Sequence, residues 1–227
     1  MRMSHDVSNS LPSQEKTPEQ ADAPLCIARR RLLQYFGVGS LALAAGSLGT
    51  PTPARGEDPG LISVIRSRRS VREYTGEPLR QETLQTILAA GMSAPSAQNS
   101  RPWHFVVLTP GKGLDWIDRI IPMTAYTAKA GAAVLVCVDT SVEPGKEQAV
   151  LSTACCAQNM LLAARALDLG AVWVSVYPSQ EYMDAWREAV RLPPQMMPLC
   201  VMPIGKPTVP PQPVDRTDAS RIHYETW

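Results

Sequence analysis

The chain has 227 residues, with 22 Lys and Arg against 21 Asp and Glu for a net charge of +1, and 44% of it is hydrophobic. That balance offers no basic surface for nucleic acid, and the length suits one domain with a proper core. Three histidines and five cysteines leave little material for a His-based metal cluster or a Ser-His-Asp triad.

Residues 1–25 are polar and lack a hydrophobic period, which predicts a disordered leader. Arg29, Arg30 and Arg31 then run into a Gly- and Ala-rich apolar stretch, Leu32 to Leu48, followed by small residues and prolines. This n-region, h-region and c-region order is that of an export signal, and "ARRRLLQ" resembles the twin-arginine motif, with Ala28 and Gln34 in its usual Ser/Thr and Lys places. The stretch is shorter than the roughly 20 apolar residues of a membrane span. Cleavage near Thr52 to Gly56 divides the chain into a leader and signal peptide, 1–55, and a mature domain, 56–227. The mature protein is then exported or periplasmic, with no stable membrane span after processing; the alternative is an uncleaved signal that stays as an anchor. Twin-arginine export carries folded proteins, so the signal also predicts a cofactor inserted beforehand.

The mature domain opens with Leu61, Ile62 and Ile65, a short helix ending before Tyr74. "RSRRSVREY" follows with Arg66, Arg68, Arg69 and Arg72, and only Glu73 and Glu77 are nearby to offset them. Such an excess is either a solvated face or an anion site. "RQETLQTILAAGM" from Arg80 is helical in period, with Gly91 as its stop, and the proline-broken "SAPSAQNSRPW" is a loop. Strands are predicted at 104–109 and 132–139, the second a continuous apolar run of the buried kind. "KEQAVLSTACCAQNMLLAARALDLG" is the longest helix, closed by Gly170; it is apolar on more than one face, as a helix buried in a core or against another subunit would be. A strand at "AVWVSV", a helix at "SQEYMDAWREAVRL", a strand at "LCVMPIG" and a Pro-rich tail with Arg216 and Arg221 complete the chain. Residues 111–130 and 177–186 are where loops would shape a pocket.

Cys137, Cys155, Cys156 and Cys200 fall in apolar or helical runs and read as small buried hydrophobes. His104 reads as a strand histidine and Trp103 as a core aromatic. There is neither a G-x-G-x-x-G after a strand nor a P-loop. With so little acid, base or metal chemistry available, a bound cofactor is the economical source of reactivity.

Four stretches in order, "SRRSVREY", "APSAQNSRPWHFVVL", "CCAQNMLLAARALDLGAVWVS" and "IGKP" with the tail to Arg216, resemble the FMN-dependent nitroreductase family across essentially the whole mature chain. The resemblance implies an α+β fold, nitroreductase-like, with a small, mostly antiparallel sheet surrounded by helices. It also implies a domain-swapped-type homodimer holding FMN at the subunit interface. Arg68, Ser70 and Arg72 match the family's Arg-x-Ser-x-basic motif at the FMN phosphate and the flavin's polar edge, with Arg69 in the variable place between and counted among the cofactor-binding residues. Pro95, Ser96 and Asn99 match its Pro-Ser-x-x-Asn segment along the flavin, Ser175 and Val176 its backbone N–H donors near N5, and Arg216 its tail contact to phosphate. Arg101, Asp168 and Val214 depart from the residues common there. The function implied is a flavin-dependent oxidoreductase, with NAD(P)H as a donor and a nitroaromatic or quinone as the small-molecule acceptor. The alternatives are an FMN-dependent dehydrogenase, a reductive dehalogenase and a non-catalytic flavin-binding protein.

Overall fold

A computed structural model of the chain describes residues 60–142 and 145–227. The leader and signal predicted for 1–55 lie outside the described residues. The order of elements is α1 (Gly60–Ser67), α2 (Gln81–Met92), β1 (Trp103–Leu108), α3 (Lys112–Ile120), β2 (Ala132–Asp139), α4 (Lys146–Ala166), β3 (Gly170–Ala171), β4 (Val174–Ser175), α5 (Gln180–Val190) and β5 (Met196–Gly205).

The strands form one antiparallel sheet in the order β1-β2-β5-β3, with β4 also paired to β5. Residues 132–138 of β2 and all of β5 are buried, because helices cover both faces of the sheet and each face of a strand needs apolar side chains. Leu135, Cys137, Leu199 and Val201 pack with Leu114 and Ile117 of α3 and Met183 and Trp186 of α5. Val134, Val136, Cys200, Met202 and Ile204 point the other way, onto Ile87 of α2 and Cys156, Met160 and Ala164 of α4. A bulge between Val136 and Cys137 shifts the register, and Cys137 and Val138 both join the α3/α5 face. Such a shift follows from one extra residue in a period of two.

The result is an α+β fold with a small antiparallel sheet between two helical layers, as the sequence predicts, with several local corrections. Gly91 does not stop α2, which continues to Met92; a Cβ on Gly91 would lie 2.7 Å from Met160 Cγ, so the glycine lets α2 and α4 approach. Gly170 does not close α4, which ends at Ala166; Asp168 takes the left-handed turn at φ 57° and Gly170 already belongs to β3. The expected strand 171–176 is two short pieces. The expected loop 111–130 contains α3 and a 3-10 turn, Ala125–Lys129, anchored by buried Leu114, Ile117, Ile121 and Thr127. Residues 180–186 of the other expected pocket loop belong to α5. Cys137, Cys156 and Cys200 are buried but Cys155 is exposed on α4. Trp103 is in the core, and His104 lies on edge strand β1 with its Nε2 4.0 Å from Asp139 Oδ2.

Candidate functional site

The arginine segment begins where α1 ends. Arg165 of α4 donates from Nε to Ser67 Oγ at 3.0 Å, tying the end of α1 to the end of α4. The chain then runs extended along the sheet. Val71 N–H donates to the Ala171 carbonyl at 3.1 Å, and Tyr74 bridges to Pro207. Thr75 N–H donates to Lys206 O at 3.0 Å, and Thr208 N–H to Glu73 O at 3.1 Å. Buried Tyr74 donates its hydroxyl to Val71 O at 2.6 Å. Residues 70–75 are thus fixed between β3 and the start of the tail.

Arg68 stands within electrostatic reach of Arg69 and Arg216, and Arg69 bonds the carbonyl of Val214, two residues before Arg216, at 3.3 Å. The Arg68 guanidinium is held below its usual range, first by burial and then by the charges of Arg216 and Arg69. Guanidiniums gathered like this repel one another, and an anion between them reverses the sign. Two nearby carboxylates are occupied elsewhere: Glu77 pairs with Lys206 Nζ at 3.1 Å, and Glu73 accepts from Thr208 Oγ1 at 3.3 Å. Ser70 and Arg72 are exposed and, with Arg69, line a cavity of about 460 Å³ whose other wall is Thr208 to Gln212.

Further along the same edge of the sheet lies β4. Val172 and Val176 donate their N–H groups to Pro203 O and Leu199 O of β5. Because antiparallel strands alternate inward and outward groups, the Ser175 N–H faces the open edge. The Val176 N–H, which the sequence would pair with a flavin, is therefore committed to the sheet at 3.1 Å. Trp173 Nε1 fixes the Ser175 hydroxyl from 3.0 Å, a contact that nothing in the sequence signalled. Ser175 stands four residues beyond Ala171, about 13 Å along an extended chain.

The loop carrying Pro95, Ser96 and Asn99 is strained. Gln98, Asn99 and Arg101 all have positive φ, 51°, 56° and 51°, a conformation that costs non-glycine residues energy and persists where the surroundings enforce it. Here Ser96 Oγ accepts from Arg101 N–H at 3.0 Å, Asn99 N–H donates to Ser96 O at 3.0 Å, and Ala97 N–H donates to Ser152 Oγ of α4 at 3.2 Å. Pro95 and Asn99 are left exposed on its surface.

Within one chain these two groups stand apart. The loop enters β1 at Trp103, opposite Val138, whereas Ser70 lies beside Ala171, level with Ile204 and Ala132. They occupy diagonal corners of the sheet, four strand spacings or about 19 Å across. Their anchors on α4, Ser152 and Arg165, are about 20 Å apart at 1.5 Å per residue. Arg68, Ser70, Arg72, Arg216 and Ser175 share one edge; Pro95, Ser96 and Asn99 do not.

An arginine-lined sheet edge and a strained Pro-Ser-x-x-Asn loop on this α+β frame define a nitroreductase-like oxidoreductase. The nitroreductase family model matches residues 65–136 and 123–206, and the chain belongs to that family. A relative from Methanothermobacter thermautotrophicus, provisionally named an NADH dehydrogenase/NAD(P)H nitroreductase, is 37% identical over 74% of this chain and 87% of its own. The NADPH-flavin oxidoreductase of Vibrio harveyi is 26% identical over 72% of each chain. Among solved structures, a provisionally named nitroreductase from Desulfovibrio desulfuricans, in complex with FMN, is 29% identical with a TM-score of 0.66, covering 75% of this chain and 99% of that one.

Proposed function

We propose that the protein is an FMN-dependent oxidoreductase that takes NAD(P)H as electron donor and reduces a small acceptor of the nitroaromatic or quinone type. The observation that carries this reading is the electrostatic proximity of Arg68, Arg69 and Arg216, with the Arg68 guanidinium depressed by burial and by its two like-charged neighbours. That site suits a phosphate monoester. Ser70 and Arg72 extend it along the cavity wall, and Ser175 offers an unpaired edge position farther on, so the residues present fit a ligand with a phosphate at one end and a polar planar head at the other. FMN, when bound, supplies the two-electron chemistry that these side chains lack.

In this reading Arg68 and Arg216 hold the phosphate, and Ser70 and Arg72 meet the polar side of the ligand. Their positive charge favours the more negative, reduced form. The Ser175 N–H, oriented by the β4–β5 ladder, is a fixed donor at the sheet edge. Donor and acceptor use the same open face in turn. Pro95, Ser96 and Asn99 complete the pocket from a second copy of the chain, since within one chain they lie on the far corner. The protein is thus a homodimer with two sites. FMN in the Desulfovibrio structure and NADPH in the name of the Vibrio relative support the cofactor and the donor. We further propose that residues 1–55 are a leader with a twin-arginine-type signal that exports domain 56–227, a reading supported by Arg29 to Arg31 and the apolar run behind them.

The test is the visible absorption spectrum of the purified domain, with identification of any released chromophore. Flavin bands and about one FMN per chain, bleached by NAD(P)H and restored by a nitroaromatic or quinone, are expected. A colourless protein that refuses added FMN overturns the reading. A flavin that no donor bleaches makes the chain a non-catalytic flavin-binding protein.

A further inference from the structure

Arg69 occupies the variable place between the motif residues Arg68 and Ser70. Its guanidinium is held by three backbone carbonyls. Nη1 donates to the carbonyls of Arg66 at 2.9 Å and Arg68 at 2.7 Å, and Nη2 reaches across to the carbonyl of Val214 at 3.3 Å. Val214 stands two residues before Arg216. Past Thr208 the tail otherwise bends largely on itself: Thr217 N–H donates to Asp215, and Ser220 and Arg221 donate to Asp218. All of residues 212–227 are exposed, so few contacts decide where Arg216 stands.

Its place beside Arg68 needs a cause. Two guanidiniums repel, and the repulsion is stronger for a half-buried one; a tail held only by its own turns would swing away. The fork of Arg69 opposes that by joining the carbonyl of its own segment to the carbonyl of the tail, a bridge for which the longer, planar and pre-oriented guanidinium is better suited than an ammonium.

We propose that Arg69 is a positioning residue: by clamping the Val214 carbonyl it docks the tail, so that Arg216 closes with Arg68 on a ligand phosphate. The inference rests on the FMN reading above. Phosphate and docked tail then stabilise each other, because the anion turns the Arg68–Arg216 repulsion into attraction and a docked tail brings the second guanidinium to the anion.

The experiment compares FMN with riboflavin, which lacks the phosphate, by flavin-fluorescence titration of the full chain and of R69M, R216A and the double variant. R216A should lower the preference for FMN over riboflavin about tenfold or more, as loss of a charge-assisted bond does. R69M should lower it by a similar factor, and the double variant by no more than either single one, while riboflavin binds all four alike. R69K keeps the charge but loses the fork, and its preference should fall with that of R69M; it also serves if R69M does not fold. Full FMN preference in R69M or R69K, or losses that multiply in the double variant, overturns the clamp. A wild-type chain that binds FMN no better than riboflavin overturns the phosphate reading itself, a separate outcome.

Discussion

Arg68 and Arg72 belong to the same motif but meet different surroundings. Arg68 is half-buried beside Arg69 and Arg216, whereas Arg72 is exposed on the cavity wall. Charge-assisted hydrogen bonds contribute about 1.5–3 kcal/mol where water is partly excluded, and exposed charges are screened by salt. Arg68→Ala should therefore weaken FMN binding by about 10- to 100-fold at any ordinary ionic strength. Arg72→Ala should weaken it less, and its effect should shrink as salt is added. Equal losses for both at high salt, measured by fluorescence titration, would falsify this division of roles. The excess of arginine was legible in the sequence because charge needs no tertiary context to be noticed, while the Arg68, Ser70 and Arg72 motif came from the family resemblance. The engagement of Arg69 was not legible, since its distant partner is a carbonyl 145 positions away. Nor was the choice of Ser175 over Val176, which depends on the alternation of inward and outward N–H groups once β4 pairs with β5.

At the scale of elements, two glycines that read as helix stops prove to be contact points. A Cβ on Gly170 would lie 2.6 Å from Val71 Cβ and 2.6 Å from its Cγ1. Val71 is β-branched and hydrogen-bonded through its N–H to Ala171, so it has little freedom to yield. Gly170→Ala should cost about 1–3 kcal/mol of stability as overpacking does, and because Val71 sits between Ser70 and Arg72 it should also weaken flavin retention. Gly91→Ala presses instead on Met160, a side chain with three rotatable bonds, rather than on Val71. It should destabilise α2 against α4 without pressing on the arginine segment, and so weaken flavin affinity less than Gly170→Ala. Urea denaturation paired with flavin titration separates the two, and a Gly170 variant that loses stability but keeps its flavin would break the link between β3 and the site. The core between these layers titrates as well. Burial pushes the thiols of Cys137 and Cys156 up to about 12, and raises Cys200 and the Tyr74 hydroxyl too. Groups whose acid form is favoured by folding lend stability that is complete below their unfolded values, about 8.5 for Cys and 10 for Tyr. That stability is lost as pH rises toward the folded values. Denaturation midpoints should hold level from these groups below about pH 8 and fall steadily above about pH 9. α3, by contrast, escaped the sequence reading: nine residues flanked by Gly111 and Pro122 resemble a loop until Leu114 and Ile117 are seen buried against α5.

The arrangement of the whole molecule is where sequence says least, because no pattern within one chain states which corner of the sheet meets which corner of a second copy. The motifs in "SRRSVREY" and "PSAQN" can each be read, but their separation emerges only from the strand order β1-β2-β5-β3 and from their anchors near opposite ends of α4. In the proposed homodimer, a two-fold axis running α4 antiparallel to its copy would exchange those ends and set the Arg68 segment of one chain beside the Asn99 loop of the other, so that one operation would complete two sites. This predicts complementation. An Arg68→Ala/Arg72→Ala chain damages the arginine half of every site it enters, and a Ser96→Ala/Asn99→Ala chain damages the loop half. In a mixed dimer both lesions fall in one site, and the other is built from the intact arginines of one chain and the intact loop of its partner. Co-expression with random pairing makes about half of the dimers mixed, so about a quarter of all sites should recover wild-type FMN affinity. Neither variant alone should show any such fraction, and titration of the mixture should resolve it as a tight-binding phase. If each site lay within a single chain, every site in the mixture would carry one lesion and no tight phase would emerge.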